Sequence, residues 1–282
     1  MSRVAYVNGR YVPHAQAAVH IEDRGYQLAD GIYEVCEVRG GRLIDEAPHM
    51  QRLDRSLAEL RIRRPLSAPA LGVILREIVR RDRLVDGLVY IQVTRGVAPR
   101  DHAFPSNDPR PALVVTAKRL SLAGRDARAG EGVAVVTVPE TRWARVDIKT
   151  IGLLPNVLAK QAAREAGAFE AWFVDRKGFV TEGASTNAWI VNTEGALVTR
   201  HADTGILRGV TRSVLIDLLD RKSLRLEERS FSVKEALAAR EAFLTSATTA
   251  VTSIVKVDGK AIGDGKPGPV AKALRQELRG HA

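Results

Sequence analysis

Apolar and polar residues alternate in short runs through the first part of the chain. Residues 4–7 and 10–12 read as two strands joined at Asn8-Gly9, a pair that readily takes the positive φ angles of a tight hairpin turn. Residues 31–38, a Gly40-Gly41 turn and residues 42–44 give a second hairpin. The spacing then changes to three and four. Met50, Leu53, Leu57 and Leu60 fall on one face of a helix with Pro48 in its first turn. A further helix is expected near residues 70–81, followed by strands at 88–94 and 112–116.

Residues 121–131 are rich in Ala, Gly, Arg and Asp and lack periodicity, which predicts a linker. Beyond it the pattern predicts strands at 133–138, 171–174, 188–192, 196–198, 241–244 and 251–257, with helices at 157–166 and 208–219. Strands outnumber helices and Gly-containing turns separate them, so the fold class expected is α+β. The expected division is a small N-terminal domain at 1–120, the linker at 121–131 and a larger C-terminal domain at 132–282.

Composition narrows the class. Of 282 residues, 45% are hydrophobic and 27% charged, the balance of a globular protein with a core of its own. Cys36 stands alone, so no intrachain disulfide forms, and its strand-like surroundings predict a small buried hydrophobe. The chain shows neither a signal-peptide block at its start nor an apolar run of membrane-spanning length, and a cytoplasmic protein is expected. The net charge of +10 raises nucleic acid as a partner. The basic residues are scattered, however, with no zinc-finger spacing, stacking platform or basic tail, so neither a nucleic-acid partner nor a bound metal is expected.

The candidate chemistry begins at Lys149 in Asp147-Ile148-Lys149-Thr150-Ile151-Gly152. Burial among apolar neighbours favours a neutral, nucleophilic amine. A lysine so placed is also a common snorkelling surface residue. Downstream, Thr181-Glu182-Gly183-Ala184-Ser185-Thr186-Asn187 places a carboxylate in a turn of small hydroxyl residues, directly before a strand. Leu207-Arg208-Gly209-Val210-Thr211-Arg212 opens a helix, where backbone N–H groups suit a phosphate. Taken singly, Glu182 reads as a solvated turn acid and Thr211 as an ordinary cap.

Together these segments resemble the class IV aminotransferases, the fold type IV pyridoxal-phosphate enzymes. That family's pattern is matched by Glu182 and, five residues on, Asn187, then Leu197 with Thr199 and the run from Leu207 to Arg212. Trp189 stands where the family usually has Phe or Tyr. The likeness extends back to Glu22-Asp23-Arg24-Gly25-Tyr26-Gln27 and Asp30-Gly31-Ile32-Tyr33-Glu34-Val35. The resemblance implies two domains with pyridoxal 5′-phosphate in the cleft between them, carried by Lys149. It further implies that Glu182 contacts the pyridine nitrogen, that Arg52 grips the phosphate, and that Val210 and Thr211 add N–H groups and a hydroxyl. A phosphate ligand is also implied within Thr245-Ser246-Ala247-Thr248-Thr249. Ala247 holds the familiar Thr position there, and Thr248 or a backbone N–H takes its place.

Within the family, Pro99-Arg100-Asp101-His102 is similar to the carboxylate-trapping loop of D-amino-acid (D-alanine) aminotransferases, which act with a Tyr matching Tyr33. An arginine fork suits a carboxylate because it donates two parallel hydrogen bonds. The resemblance thus implies transamination between D-amino acids and 2-keto acids such as 2-oxoglutarate or pyruvate, in a homodimer. Branched-chain L-amino-acid aminotransferases and aminodeoxychorismate lyases are the alternatives within the family. A non-catalytic binding protein with a basic surface is the alternative outside it.

Overall fold

The computed structural model describes residues 3–222 and 224–280. The chain forms two compact units, Met1–Ser121 with Ile148–Gly152, and Leu122–Asp147 with Leu153–Ala282. The short strip around Lys149 therefore belongs to the first unit, although it lies in the sequence range expected for the C-terminal domain.

In the first unit, β1 (Val4–Val7) and β2 (Arg10–Pro13) form the expected hairpin, with Val7 opposite Arg10. A short helix, α1 (Arg24–Leu28), precedes β3 (Gly31–Arg39) and β4 (Arg42–Leu43). Helices α2 (Glu46–Glu59) and α3 (Ala68–Arg81) follow, then β5 (Gly87–Thr94) and β6 (Ala112–Arg119). The antiparallel sheet runs β2-β1-β6-β5-β3-β4. Its core joins Ile32, Cys36, Val89, Ile91 and Val115 of the strands to Leu53, Leu57, Leu71, Leu75 and Ile78 of α2 and α3. Helix α1 has too few residues to show an apolar period; Asp23 starts it by accepting from Gly25 N at 2.8 Å.

The second unit opens with a helix in place of the expected linker, α4 (Leu122–Glu131). None of its residues is buried, so no apolar stripe announces it; Ala and Arg supply helix propensity instead. Strand β7 (Val133–Pro139) is followed by α5 (Leu154–Glu165), which starts ahead of the expected residue 157 because Pro155 fits a first turn. Then come β8 (Glu170–Val174), β9 (Val180–Gly183), β10 (Asn187–Val191), β11 (Leu197–Thr199) and α6 (Val210–Arg221). The remaining elements are β12 (Leu226–Glu228), α7 (Val233–Ala238), β13 (Glu241–Ser246), β14 (Ala250–Val257), β15 (Lys260–Ala261) and α8 (Pro269–Gly280).

Strands of this unit run β12-β11-β10-β13-β14-β7-β8-β9, with β15 on β14. The β14–β7, β7–β8 and β11–β12 pairs are parallel and the others antiparallel. Trp189 and Phe243 stack at 5.5 Å and pack with Leu215 and Leu219 of α6, which seats the body of that helix against the sheet.

Candidate active site

In the first unit the candidate residues gather around β3. The strip Ile148–Gly152 lies along this strand: Tyr33 N donates to Lys149 O at 2.9 Å, and Ile151 N to Gly31 O at 3.2 Å. Gly31 is required here, because a Cβ would stand 2.7 Å from Val93 O and 3.0 Å from Ile151 Cδ1. Ile148 is buried in the core beneath. Lys149, half-buried, places Nζ 4.2 Å from the centre of the Tyr33 ring, and Tyr33 stacks on Tyr90 at 5.6 Å. Burial, assisted by Tyr33, pushes the Tyr90 phenol up to about 12.

Glu34, next to Tyr33, turns to the opposite face of β3 and is fully buried. It receives Arg52 Nε at 2.7 Å and Arg52 Nη2 at 2.9 Å, and His49 Nδ1 lies 2.9 Å from its Oε2. His49 and Arg52 stand three residues apart on α2 and so share a face. Burial alone would raise the Glu34 carboxyl. The charge and bonds of Arg52, the bond to His49 and the charge of Lys149 overcome it and hold the group at about 2. Burial opposes the Arg52 charge, yet Glu34 keeps the guanidinium's pKa raised. The Arg52 fork is thus oriented by a carboxylate of the protein itself.

Arg100 and His102 lie beyond β5 with exposed side chains, while Arg24 holds the backbone between them: its Nη1 donates to Asp101 O at 2.6 Å.

The second unit centres on Glu182, which is buried within strand β9 and not in the turn expected for it. Arg142 Nη1 donates to Glu182 Oε1 at 2.5 Å, Asn187 Nδ2 donates to Oε2 at 3.0 Å, and Leu207 N reaches both oxygens at 3.1 Å. Burial pushes the Glu182 carboxyl up, and Arg142 and the Leu207 N–H pull the other way without cancelling it. Arg142 also binds Glu140 through Nε and Nη2, at 2.9 and 2.7 Å, and lies over the Phe173 ring at 4.3 Å. Against burial, the two carboxylates keep its pKa raised.

Asn187 connects this acid to α6. Its Nδ2 also donates to Leu207 O at 2.9 Å, and its Oδ1 comes so near Gly209 that a Cβ there would stand 2.1 Å away. Gly209 is the N-cap of α6 and supplies no side-chain cap, so the N–H groups of Val210 and Thr211 open the helix without one. A helix start of this kind accepts an anion. Thr248 lies in the turn between β13 and β14, where Ser246 Oγ stands 3.0 Å from its hydroxyl and 2.8 Å from that of Thr249. Thr199 is buried and donates to Ala188 O at 2.9 Å, a structural contact within the sheet.

Sequence reasoning missed Glu34, His49, Glu140 and Arg142. For Glu34 a signal existed: strand alternation places it with Ile32 and Cys36 on the apolar face, where an acid needs a partner. Arg142 gave none, because its segment has no period and its partner Glu182 is remote in sequence.

A family model described as amino-transferase class IV matches residues 31–257. The chain is similar to the D-alanine aminotransferase of Bacillus licheniformis, 39% identical over 273 residues that cover 96% of this chain and 94% of the relative. It is also similar to the D-alanine aminotransferase of Staphylococcus haemolyticus, 36% identical over 272 residues that cover 96% and 95%. Among solved structures, the branched-chain amino acid aminotransferase of Escherichia coli superposes with a TM-score of 0.90 at 23% identity, over 99% of this chain and 94% of that one. That likeness is one of fold.

Proposed function

Because this chain belongs to the class IV aminotransferases, we propose that it transfers amino groups between D-amino acids, D-alanine foremost, and 2-keto acids such as 2-oxoglutarate or pyruvate. The chain is an enzyme, and its cofactor is pyridoxal 5′-phosphate. The observation that carries the substrate assignment is the full-length similarity to D-alanine aminotransferases in a chain that keeps Tyr33, Arg100 and His102.

The residues present fit the cofactor. Lys149 offers a primary amine beside an aromatic ring, the uncapped start of α6 with Val210 and Thr211 offers N–H donors to a phosphate, and Arg52 offers a guanidinium already oriented by Glu34. Thr248 adds a hydroxyl. Glu182 offers a buried carboxylate to a ring nitrogen, held by donors on both oxygens. When bound, the cofactor supplies an electron sink for the pair left at the substrate's Cα.

The protein supplies position, charge and proton movement. Lys149 Nζ would hold the cofactor and, once the substrate's amine had displaced it, the freed neutral amine would take the proton from the substrate's Cα and later give it back. Glu182 stays where it is because Arg142, Asn187 and the Leu207 N–H fix it, so its charge needs no rearrangement at the moment of reaction. Arg100 and His102, with Tyr33, take the substrate carboxylate. Stereochemistry follows from this placement. With the proton carrier on one side, moving the carboxylate across the pocket selects the enantiomer whose Cα–H faces Lys149.

We assign the enzyme to the cytoplasm as a homodimer. Among the described residues, no helix is long and apolar enough to cross a membrane. Leu154, Val157 and Leu158 leave an apolar stripe exposed on α5, at 68%, 58% and 63%, which suits a subunit contact. Purified protein given D-alanine and 2-oxoglutarate should form pyruvate and glutamate in equal amounts; absence of pyruvate would overturn the reading.

A further inference from the structure

Asp30 collects two arginines at one carboxylate. Arg24 Nε donates to Oδ2 at 2.8 Å, Arg95 Nε to Oδ2 at 2.7 Å and Arg95 Nη2 to Oδ1 at 3.0 Å. Both guanidinium side chains are buried, and the Asp30 side chain keeps only 11% of its surface. Burial pushes the Asp30 carboxyl up, but Arg95 and Arg24 outweigh it and hold it below its ordinary value.

Each arginine also reaches the loop at residues 101–104. Arg24 donates from Nη1 to Asp101 O at 2.6 Å and from Nη2 to His102 O at 3.5 Å. Arg95 lies 3.8 Å from the centre of the Phe104 ring, and Arg61 lies 4.7 Å from the same ring. Arg95 also donates to Leu60 O at 2.8 Å and Arg61 O at 3.1 Å, which ties it to the end of α2. A guanidinium is planar and rigid, so fixing one edge on a carboxylate fixes the direction of the other edge. The backbone at 101 and 102 and the ring at 104 are thus both held through arginines that end on Asp30.

We propose that Asp30 is the positioning residue of the substrate-carboxylate loop: by orienting Arg24 and Arg95 it fixes where Arg100 and His102 are presented, and so sets the affinity for carboxylate-bearing substrates. This rests on the reading that Arg100 and His102 take the carboxylate. Asp30 touches no substrate and acts through the two arginines. A small displacement of such a loop is enough to weaken binding, because a two-pronged contact needs its geometry preserved.

The test uses the cofactor-loaded enzyme with Asp30→Asn, Phe104→Ala and, as a control, Arg100→Ala. Steady-state kinetics on D-alanine are set beside those on sec-butylamine, which has no carboxylate, and hydrogen exchange is read at the amides of residues 101–104. Asp30→Asn should raise the D-alanine KM by about tenfold or more, leave kcat within about twofold, spare turnover of the amine and speed exchange in the loop. Phe104→Ala, at a half-exposed side chain, should move KM and exchange the same way by a smaller amount. Parent KM and parent exchange in these two variants would overturn the proposal, as would an equal loss of kcat for both substrates together with loss of cofactor. If Asp30→Asn does not fold, Phe104→Ala decides alone by the same readings. If Arg100→Ala raises KM and Asp30→Asn does not, this proposal fails and the carboxylate reading stands. If Arg100→Ala leaves KM unchanged, the carboxylate reading itself fails.

Discussion

Arg142 Nη1 stands 2.5 Å from Glu182 Oε1, and both side chains are buried. The pair is a local anchor: Arg142 also holds Glu140, so a single guanidinium bridges two carboxylates, one of them the acid assigned to the cofactor nitrogen. Removing one partner of such a pair leaves an uncompensated buried charge. Arg142→Met should therefore cost roughly 3–5 kcal/mol of stability and weaken cofactor retention. A variant with the parent's unfolding midpoint and colour would show that Glu182 does not depend on it.

Glu182→Gln is the gentler probe of the same site. The amide still accepts from Leu207 N and still faces the ring nitrogen, but it cannot stabilise a positive charge there. Cofactor binding should persist while proton abstraction slows, read as a lower kcat and a primary isotope effect with Cα-deuterated D-alanine. Parent turnover in this variant would remove the electrostatic role assigned to the acid.

Lys149→Ala should abolish transamination with the fold retained. The strip around it is held by the backbone bonds Tyr33 N to Lys149 O and Ile151 N to Gly31 O, which alanine keeps. The loss should be on the order of a thousandfold or more, since general acid–base help alone is worth roughly 10²–10⁴. Circular dichroism checks the fold. Substantial activity in the alanine variant without an added amine would sink the role.

Glu34 gives a pH dependence. Its ordinary value is 4.5 and the folded protein holds it at about 2, so its ionised form stabilises the fold above 4.5, and that contribution is lost as pH falls towards 2. Glu34→Gln should be less stable at neutral pH and should lose part of the slope of acid unfolding in that window. An acid transition of unchanged steepness would show that another carboxylate controls it.

Arg100→Ala separates the substrate readings. If its fork binds the carboxylate, the loss should be roughly 2–4 kcal/mol, about thirtyfold to a thousandfold in kcat/KM for D-alanine. The protein should remain yellow, and an amine without a carboxylate should lose far less. Parent kcat/KM for D-alanine would remove Arg100 from the trap.

The hairpins were legible because strict alternation and Asn8-Gly9 or Gly40-Gly41 turns set their register, and α2 and α3 because each buries a full apolar stripe. Helix α4 was not, since it has no fully buried residue to mark an apolar stripe. Glu182 reads as part of a turn because β9 is short, follows Gly178 closely and ends on Gly183, and short strands bounded by glycine look like turns. Of the candidate site, Lys149, Glu182 and the start of α6 emerged from spacing taken together with a family resemblance. Their partners did not. Arg142 and Glu182, 40 residues apart, and Asp30 and Arg95, 65 apart, are joined only by the fold, and no local period encodes such a pairing.

Preference for D- over L-amino acids is read from a single turnover. The yellow, cofactor-loaded protein is mixed with D-alanine or with L-leucine, and the loss of its yellow band is followed over time. D-Alanine should bleach the band rapidly and release pyruvate, and L-leucine should change it little. Rapid bleaching by L-leucine with D-alanine inert would contradict that preference and make the enzyme a branched-chain L-amino-acid aminotransferase of the same family.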